Sequence, residues 1–182
     1  STDQIDVENG KRYGITFTDE KNEQQHPIIL HNSPSGAVER VIYALLEKFA
    51  KQIKDGERPQ FPLWLAPIQV RLIPLKDDFL EFASNLAGKL TEQNIRVDID
   101  DRNDTINKRI RDAEKEWINY VLVIGEKEMN SPSLSVRDRT TGDVRQLSTE
   151  NFVKEIQDAT RGKPISKLNS AILLSQRPQI MV

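Results

Sequence analysis

The feature that most constrains the fold of this 182-residue chain is an alternation of strand-like and helix-like segments between about residues 63 and 164. Short apolar runs at 68–75, 95–99 and 120–124 predict strands, and the unbroken run at 120–124 predicts a central buried strand. Between these runs, apolar residues recur at helical spacing. Because alternating strands and helices form parallel or mixed sheets covered by helices, the pattern predicts an α/β fold with a mixed, mainly five-stranded sheet.

The last two strands of that sheet are predicted from a turn sequence. Residues 133–139 and 143–147 flank a Thr-Thr-Gly turn that ends at Gly142, and a short polar segment with glycine is typical of a tight hairpin. Ser148 follows directly and has the side chain to cap the next helix. A hairpin and a capped helix therefore complete the predicted domain.

Two segments of the domain combine charge with a regular pattern. Residues 95–99 alternate apolar positions with Arg96 and Asp98, which predicts a strand with one face in solvent. The helix predicted after Asn103 is locally basic through Lys108, Arg109, Arg111 and Lys115. Such a patch is suited to a phosphate backbone, but charged helix faces are usually just solvated, so both interpretations stay open.

The start of the chain has a separate pattern. Alternation at 12–18 and a short apolar run at 27–31 predict the two strands of an antiparallel hairpin. A helix is predicted from about 36 to 54, with Ser33 or Ser35 as its cap. Its apolar stripe consists of Val38, Val41, Ile42, Leu45, Leu46, Phe49 and Ile53.

A stretch at 57–62 with two prolines indicates a linker between this segment and the α/β domain. We therefore expect three parts: a hairpin and helix within 1–62, the sheet domain at 63–164, and a tail at 165–182. The chain shows no internal repeat and no low-complexity tract.

Charge and composition exclude several classes of function. The chain has 26 Lys and Arg against 28 Asp and Glu, which argues against a protein that coats nucleic acid; RNA binding would depend on a few placed residues. The absence of cysteine excludes disulfides, a thiolate nucleophile and cysteine-ligated zinc. No apolar run approaches the roughly 20 residues that span a membrane, and the chain begins with polar residues. We therefore expect no membrane partner and a cytoplasmic location.

Two candidate sites lie before the linker, in a chain that lacks the phosphate-loop, dinucleotide, zinc-helix and nucleophile-elbow signatures. Arg40 stands near the start of the predicted helix, where an arginine fork suits phosphate oxygens and a helix N-terminus favours anions. The alternative is a surface arginine paired with Glu39 or Glu47. His31 is one of only two histidines, so this chain alone cannot supply the three or four ligands that zinc needs.

Polar residues also follow or occupy three of the predicted strands, at 101–103, 125–128 and 136–139. The carboxyl ends of strands in open α/β sheets are where ligands bind. Asn amides, Glu carboxylates and Arg forks are the groups that recognise base edges on unpaired nucleotides. The alternative is a helix cap, a turn and a solvated strand face.

Taken together, these segments resemble the C-terminal part of a class II aminoacyl-tRNA synthetase, specifically the threonyl-tRNA synthetases of archaeal style. Residues 27–40, Pro-Ile-Ile-Leu-His-Asn-Ser-Pro-Ser-Gly-Ala-Val-Glu-Arg, resemble motif 3 of that class, although Asn32, Pro34 and Ala37 depart from its pattern. Residues 61–70 are similar to the junction between the catalytic and anticodon-binding domains. Motifs of the anticodon-binding domain are matched in order and spacing at 100–103, 122–128 and 135–139.

The resemblance, which covers about residues 13 to 162, implies an activity for the full-length enzyme. That activity is ligation: ATP-dependent attachment of threonine to its tRNA, with ATP, Mg²⁺ and zinc as cofactors and a homodimer as the assembly. Motifs 1 and 2 are not in this chain, so we do not expect it to be active alone or to hold these cofactors alone. Its own expected role is recognition of the anticodon of the threonine tRNA.

The resemblance also implies roles for single residues. Arg40 matches the motif 3 arginine that holds the γ-phosphate of ATP. His31 matches a histidine ligand of the zinc that recognises threonine, with the other ligands upstream. Asn103, Glu128 and Arg137 match positions that contact the anticodon bases.

Two alternatives stay open. The chain could be a non-enzymatic accessory subunit that uses the same fold to bind nucleic acid or protein, or the C-terminal part of a prolyl, glycyl or histidyl synthetase. Gly36, Arg40 and His31 favour a synthetase over an accessory subunit, because a protein without catalysis has no need of an arginine for the γ-phosphate.

Overall fold

A computed structural model describes residues 2–34 and 36–178 of the chain. It divides into two compact units, Ser1–Asp55 and Gly56–Val182. No helix within the described ranges has the length and apolar character needed to cross a membrane.

The first unit contains short antiparallel pairs and one long helix. Its elements are β1 (Thr2–Asp6), α1 (Asn9–Arg12), β2 (Phe17–Thr18), β3 (Gln24–Gln25), β4 (Ile29–Ser33) and α2 (Val38–Lys54). β1 pairs with β4 and β2 pairs with β3, both antiparallel. An antiparallel hairpin followed by a helix is therefore present, as the sequence pattern predicts.

The strands of that hairpin differ from the predicted ones. The predicted partner of 27–31 was 12–18, but β4 pairs with β1, which comes from the polar start of the chain. The cause is local: the Asp6 carboxylate accepts the backbone N–H groups of Glu8 and Asn9, at 2.9 and 2.8 Å. These bonds start α1 between β1 and the segment predicted as a strand, and only Phe17–Thr18 of that segment is a strand, β2, which pairs with β3.

The start of α2 also differs from expectation. The residue before its first turn is Ala37, whose side chain makes no capping hydrogen bond. Ser33, one of the two predicted caps, lies in β4, and Ser35, the other, lies outside the described residues.

The second unit is built on one five-stranded sheet. Its strands and helices are β5 (Val70–Pro74), α3 (Leu80–Glu92), β6 (Val97–Ile99), α4 (Ile106–Lys115), β7 (Tyr120–Ile124), α5 (Glu126–Asn130), β8 (Ser133–Asp138), β9 (Val144–Ser148) and α6 (Thr149–Thr160). The strand order is β6-β5-β7-β8-β9. The first three strands are parallel, and β8 and β9 are antiparallel to their neighbours. This confirms the mixed sheet, with β7 in the predicted central position.

The two faces of the sheet have different covers. On one face, α3 and α6 pack on a large apolar cluster that includes Leu72, Leu122 and Phe152. On the other, α4 packs through Ala113 on Ile73 and Val121 of the neighbouring strands. Because apolar stripes at helical spacing match these contacts, the local pattern accounts for the layers.

The prediction of a solvent-exposed face on 95–99 is wrong. Arg96 is 5% exposed and Asp98 is fully buried. The Arg96 guanidinium donates to the carbonyls of Trp64 and Ala66, both at 2.8 Å. Asp98 accepts two hydrogen bonds from Arg71, at 2.9 and 2.8 Å. The polar side of this strand is buried because distant segments of the chain supply its partners.

The tail, whose structure the sequence pattern did not indicate, runs along the outer edge of β6. Leu173 forms a parallel bridge with Ile99. The Ser175 N–H donates to the Asp101 carboxylate at 2.9 Å, and Arg177 forms an ion pair with Asp98 at 3.0 Å. Residues 179–182 lie outside the described residues.

Candidate nucleic-acid interface

Glu128 is a buried carboxylate with defined partners. It lies in the short helix α5, directly after β7, and is 7% exposed. Its Oε2 accepts the Gly125 N–H at 3.2 Å, which closes the first turn of the helix. Its Oε1 accepts the Ser135 hydroxyl at 2.5 Å, and that hydroxyl accepts from the Gln146 amide at 2.8 Å. The carboxylate is therefore held in one orientation at the edge of the β8–β9 hairpin.

The hairpin presents one polar face, on the side of the sheet where α4 packs. Val121 contacts α4, and because it pairs with Arg137 in the strand register, Arg137 faces the same side. Alternation along the strands and the pairing of β8 with β9 extend this open face, which consists of Ser133, Ser135, Arg137, Val144, Gln146 and Ser148. All six side chains are partly or fully accessible. Glu128 and Arg137 are thus on one surface, with Ser135 between them.

Arg137 also lines a cavity of about 310 Å³ that continues from the open face. The charged side chains around this cavity are Arg58, Arg111, Glu114, Lys115, Arg137, Asp138 and Arg139. The Arg139 guanidinium donates to the Pro59 carbonyl at 2.8 Å and to the Glu114 carbonyl at 2.5 Å, so its position is set by backbone. Burial lowers the pKa of Arg139. This part of the interface is positively charged.

Asn103 lies elsewhere, at the carboxyl edge of the parallel strands. Its exposed side chain lines a polar cleft of about 500 Å³ together with Leu75 after β5. Leu75 in turn lies against Gly125, the glycine that begins the turn of Glu128. Asn103 and Glu128 therefore share one edge of the sheet, while Arg137 is near the opposite end of β8.

The loop that carries Asn103 is held by Asp100, whose side chain is fully buried. Arg102 donates to both carboxylate oxygens, at 2.8 and 2.7 Å. Burial acts to raise the pKa of Asp100, but the hydrogen bonds and charge of Arg102 outweigh it, and the pKa is lowered. The Asp100 carbonyl accepts from the Arg109 guanidinium at 2.9 Å.

The four basic residues noted on α4 fall into two groups. Arg109 is buried against Asp100, and Lys108 forms an ion pair with Asp104 at 2.6 Å. Arg111 and Lys115 are exposed and line the cavity beside Arg137. Sequence spacing alone cannot tell the buried arginine and the ion-paired lysine from the two residues at the cavity, because this depends on which side of the helix faces the sheet.

In the first unit, Arg40 folds back over Gly36 at the start of α2. A Cβ added at Gly36 would lie 2.8 Å from Nη1 of Arg40, and the φ of +72° at Gly36 also favours glycine. Arg40 is exposed, and within the described part of the chain it makes no ion pair with Glu39 or Glu47.

His31 is exposed in β4, opposite Gln4 of β1. Across the described residues, no group of three His, Cys, Asp or Glu side chains is arranged to hold a metal. The described residues therefore do not form a complete zinc site by themselves.

Two polar residues of the interface, Arg58 and Gln146, have no separate signal in the sequence, while Ser135 and Arg139 lie in a segment that the sequence singles out without assigning them a role. Ser135 and Gln146 meet because of the register of the hairpin, and Arg58 comes from the segment before the sheet. The hairpin turn at Gly142 was the sequence signal from which the contact of Ser135 with Gln146 could have been predicted, since the turn sets which residues of the two strands face each other.

Comparisons with known proteins agree with this architecture. Residues 69–159 match the family described as the anticodon binding domain. A threonine–tRNA ligase from Nitrosopumilus maritimus is 65% identical to the chain, and one from Cenarchaeum symbiosum is 56% identical, each over all 182 residues. The chain spans 29% and 30% of the length of these two relatives. It matches their C-terminal part.

A solved structure gives the same result for the fold. The RNA binding domain of threonyl-tRNA synthetase from Cryptosporidium parvum is 25% identical and superposes with a TM-score of 0.59, over 91% of this chain and 39% of that one.

Proposed function

This chain belongs to the anticodon-binding domain family, and from that membership we propose that it recognises the anticodon of a threonine tRNA as part of a longer threonine–tRNA ligase. The observation that supports this best is that a fixed, largely buried carboxylate, Glu128, contacts Ser135 of the same open polar face that carries the partly exposed Arg137 guanidinium. Unpaired bases offer both donors and acceptors on their edges, and such a face can recognise both.

Each of the two groups has a distinct chemical task. The Glu128 carboxylate accepts hydrogen bonds, so it suits the amino or imino donors of a base. Its two bonds to Gly125 and Ser135 leave further lone pairs for such donors. The Arg137 fork donates, so it suits acceptor atoms such as O6 and N7 of guanine. A fixed acceptor beside a donor fork discriminates between bases, because a wrong base leaves one of these polar groups unpaired.

Asn103 supplies the third proposed contact. Its amide carries both a donor and an acceptor, and it is exposed in the cleft at the carboxyl edge of the sheet. Since this cleft is separated from Arg137 by the length of the hairpin, we assign Asn103 to a different nucleotide of the loop. A tRNA is the partner in this proposal, and the location is the cytoplasm.

The first unit fits a larger assembly. Most residues of the predicted apolar stripe of α2 are exposed, including Val38 at 71% and Leu46 at 54%. An apolar helix face of this extent normally packs against other protein. We propose that the remainder of the ligase covers it, that the parts divide as 1–62, 63–164 and 165–182, and that the whole enzyme is a homodimer.

The same assembly would bring the cofactors. Arg40 is free to hold the γ-phosphate of ATP, since its guanidinium is exposed over Gly36 at the start of a helix. ATP with Mg²⁺ supplies the phosphate chemistry that activates threonine. For zinc, His31 is one ligand and the others would come from residues outside this chain, so no step is assigned to the metal here.

A binding measurement tests the anticodon proposal. The chain should bind an anticodon stem-loop of threonine tRNA more tightly than one of proline tRNA, as measured by fluorescence anisotropy. Glu128→Gln or Arg137→Ala should weaken binding to the threonine loop by about 1–3 kcal/mol each, because each removes one base contact. Glu150→Gln, at an exposed carboxylate on α6, is the matched control and should change nothing. Equal affinity for the two loops would contradict the proposal.

A further inference from the structure

The cavity beside Arg137 has an excess of positive charge that the chain as a whole lacks. Five cations line it: Arg58, Arg111, Lys115, Arg137 and Arg139. Among the described residues, two carboxylates accompany them, in a chain whose net charge is −2. We call these five residues and the space between them the basic cavity. Its charge is therefore concentrated locally, although the overall composition is slightly acidic.

The two carboxylates offset only part of this charge, and that of Glu114 acts on Arg139. Asp138 is already paired with Arg145 at 3.1 Å, and it also accepts the Thr140 N–H at 2.8 Å. Within the described ranges, Arg58, Arg111 and Lys115 make no ion pair, and neither does Arg137. Unpaired cations that converge on one cavity raise the local concentration of anions.

One of the cations is held in place by the fold. The Arg139 guanidinium is fixed by the carbonyls of Pro59 and Glu114. The Arg58 guanidinium lies over Gly142, where any added Cβ would collide with it. Because Arg139 is ordered before a ligand arrives, binding an anion here costs less conformational entropy than it would at free surface lysines.

The basic cavity is continuous with the open face, and Arg137 belongs to both. Ser135, which contacts Glu128, is two residues before Arg137 on the same face of β8, a distance of roughly 7 Å along the strand. A nucleotide whose base lies against Glu128 and Arg137 therefore has its backbone within reach of the cavity. An anion attached to the recognised base is the ligand that this arrangement suits.

We propose that the basic cavity binds a backbone phosphate of the RNA loop, next to the nucleotide that Glu128 and Arg137 recognise. This inference rests on the proposed function, and it adds a contact that carries affinity without sequence preference. Phosphate contacts position the RNA, whereas base contacts supply specificity. Arg111 and Lys115 are the main residues assigned to this contact, since they are exposed and form no ion pair with any described residue, and Arg58 lines the same cavity.

Salt dependence separates the two kinds of contact. Affinity of the whole chain for the threonine stem-loop is measured between about 50 and 200 mM salt for the wild type, Arg111→Gln, Lys115→Gln and the double variant. Each lost phosphate contact should flatten the slope of log K against log salt by about 0.7, while the preference for threonine over proline loops stays unchanged. Lys154→Gln, at an exposed lysine of α6 on the other face of the sheet, is the matched control.

A second arm locates the phosphate. In the stem-loop RNA, each phosphodiester linkage of the loop is replaced in turn by a methylphosphonate, which removes one negative charge at a time. One linkage should weaken binding to the wild type and have little further effect on the Arg111→Gln/Lys115→Gln variant. The inference would be overturned if the salt slopes of the Arg111 and Lys115 variants equalled that of Lys154→Gln. It would also be overturned if replacing any linkage weakened binding equally in the wild type and in the double variant. Saturable binding of inorganic phosphate to the cavity with an unchanged RNA slope would also overturn it.

The two proposals fail in different ways. A wild type that does not distinguish threonine from proline loops contradicts the anticodon function. A wild type that does distinguish them, together with variants whose salt slopes are unchanged, contradicts only the phosphate assignment.

Discussion

At the scale of single residues, the largest difference between pattern and structure is Asp98. Alternation predicted that it faces solvent, yet it is buried with Arg71 and Arg177 as partners. The Arg71 guanidinium also contacts Glu116 at 2.7 Å. Arg71 is 27 positions from Asp98 and 45 from Glu116, and Arg177 is 79 positions from Asp98. No local pattern contains information about such distant partners. Alternating charge on a strand indicates solvent only when no countercharge comes from elsewhere in the fold.

The pair of Arg71 and Asp98 makes a prediction at this scale. Asp98→Asn should lower the free energy of unfolding by about 3–5 kcal/mol, because it removes the buried countercharge of Arg71 and leaves that guanidinium with Glu116, whose side chain is 49% exposed. Arg71→Met combined with Asp98→Leu should cost much less, since it removes both charges. Urea denaturation measures both. A double variant as unstable as Asp98→Asn would show that packing, and not the uncompensated charge, is responsible.

The site residues differ in how far the sequence could indicate them. Glu128 and Arg137 could be singled out because they match motifs. The contact of Ser135 with Gln146 could not be predicted from such motifs, since it depends on the strand register, and the separation of Asn103 from Arg137 depends on the strand order.

At the scale of elements, the signals that were confirmed are local ones. The Ser148 hydroxyl accepts the Asn151 N–H at 3.2 Å and caps α6, as predicted. The hairpin turns at Gly142, and β7 is central. Caps and turns depend on a few consecutive residues, so they can be predicted from the local sequence. The pairing of β4 with β1 joins distant segments and was missed.

The hairpin turn supports a matched pair of substitutions. Gly142 and Gly162 have φ angles of +80° and +71°, so alanine should cost about 1–2 kcal/mol at either position, measured by thermal or urea unfolding. Only at Gly142 would the new methyl group displace the Arg58 guanidinium, because a Cβ at Gly162 would have no atom of the described neighbouring residues within 4 Å. Gly142→Ala should therefore also flatten the salt dependence of RNA binding, and Gly162→Ala should not. If Gly142→Ala and Gly162→Ala show the same salt dependence of RNA binding, Arg58 does not take part in phosphate binding.

At the scale of the whole molecule, the two units contrast in their surfaces. The second unit has a continuous buried core between its helices, whereas the first leaves much of its apolar surface exposed. Periodicity predicted the stripe on α2 but not its exposure, because a pattern shows which face is apolar and not what covers it.

This contrast predicts how the chain behaves when it is divided. A protein that begins at Gly56 should unfold cooperatively and keep the affinity of the full chain for the threonine stem-loop, since every proposed base contact lies within it. It should bind far less of a hydrophobic dye such as ANS. Loss of RNA binding in this shorter protein would assign part of the interface to residues before Gly56.

The tail along β6 has a consequence for the behaviour of the protein in a crowded solution. β6 is the outermost strand of the sheet, and an uncovered outer strand offers unpaired N–H and C=O groups to other chains. The Ile99 N–H instead donates to the Ile172 carbonyl at 2.9 Å, and the Leu173 bridge continues this cover. The last segment of the chain thus protects the sheet from strand-to-strand aggregation.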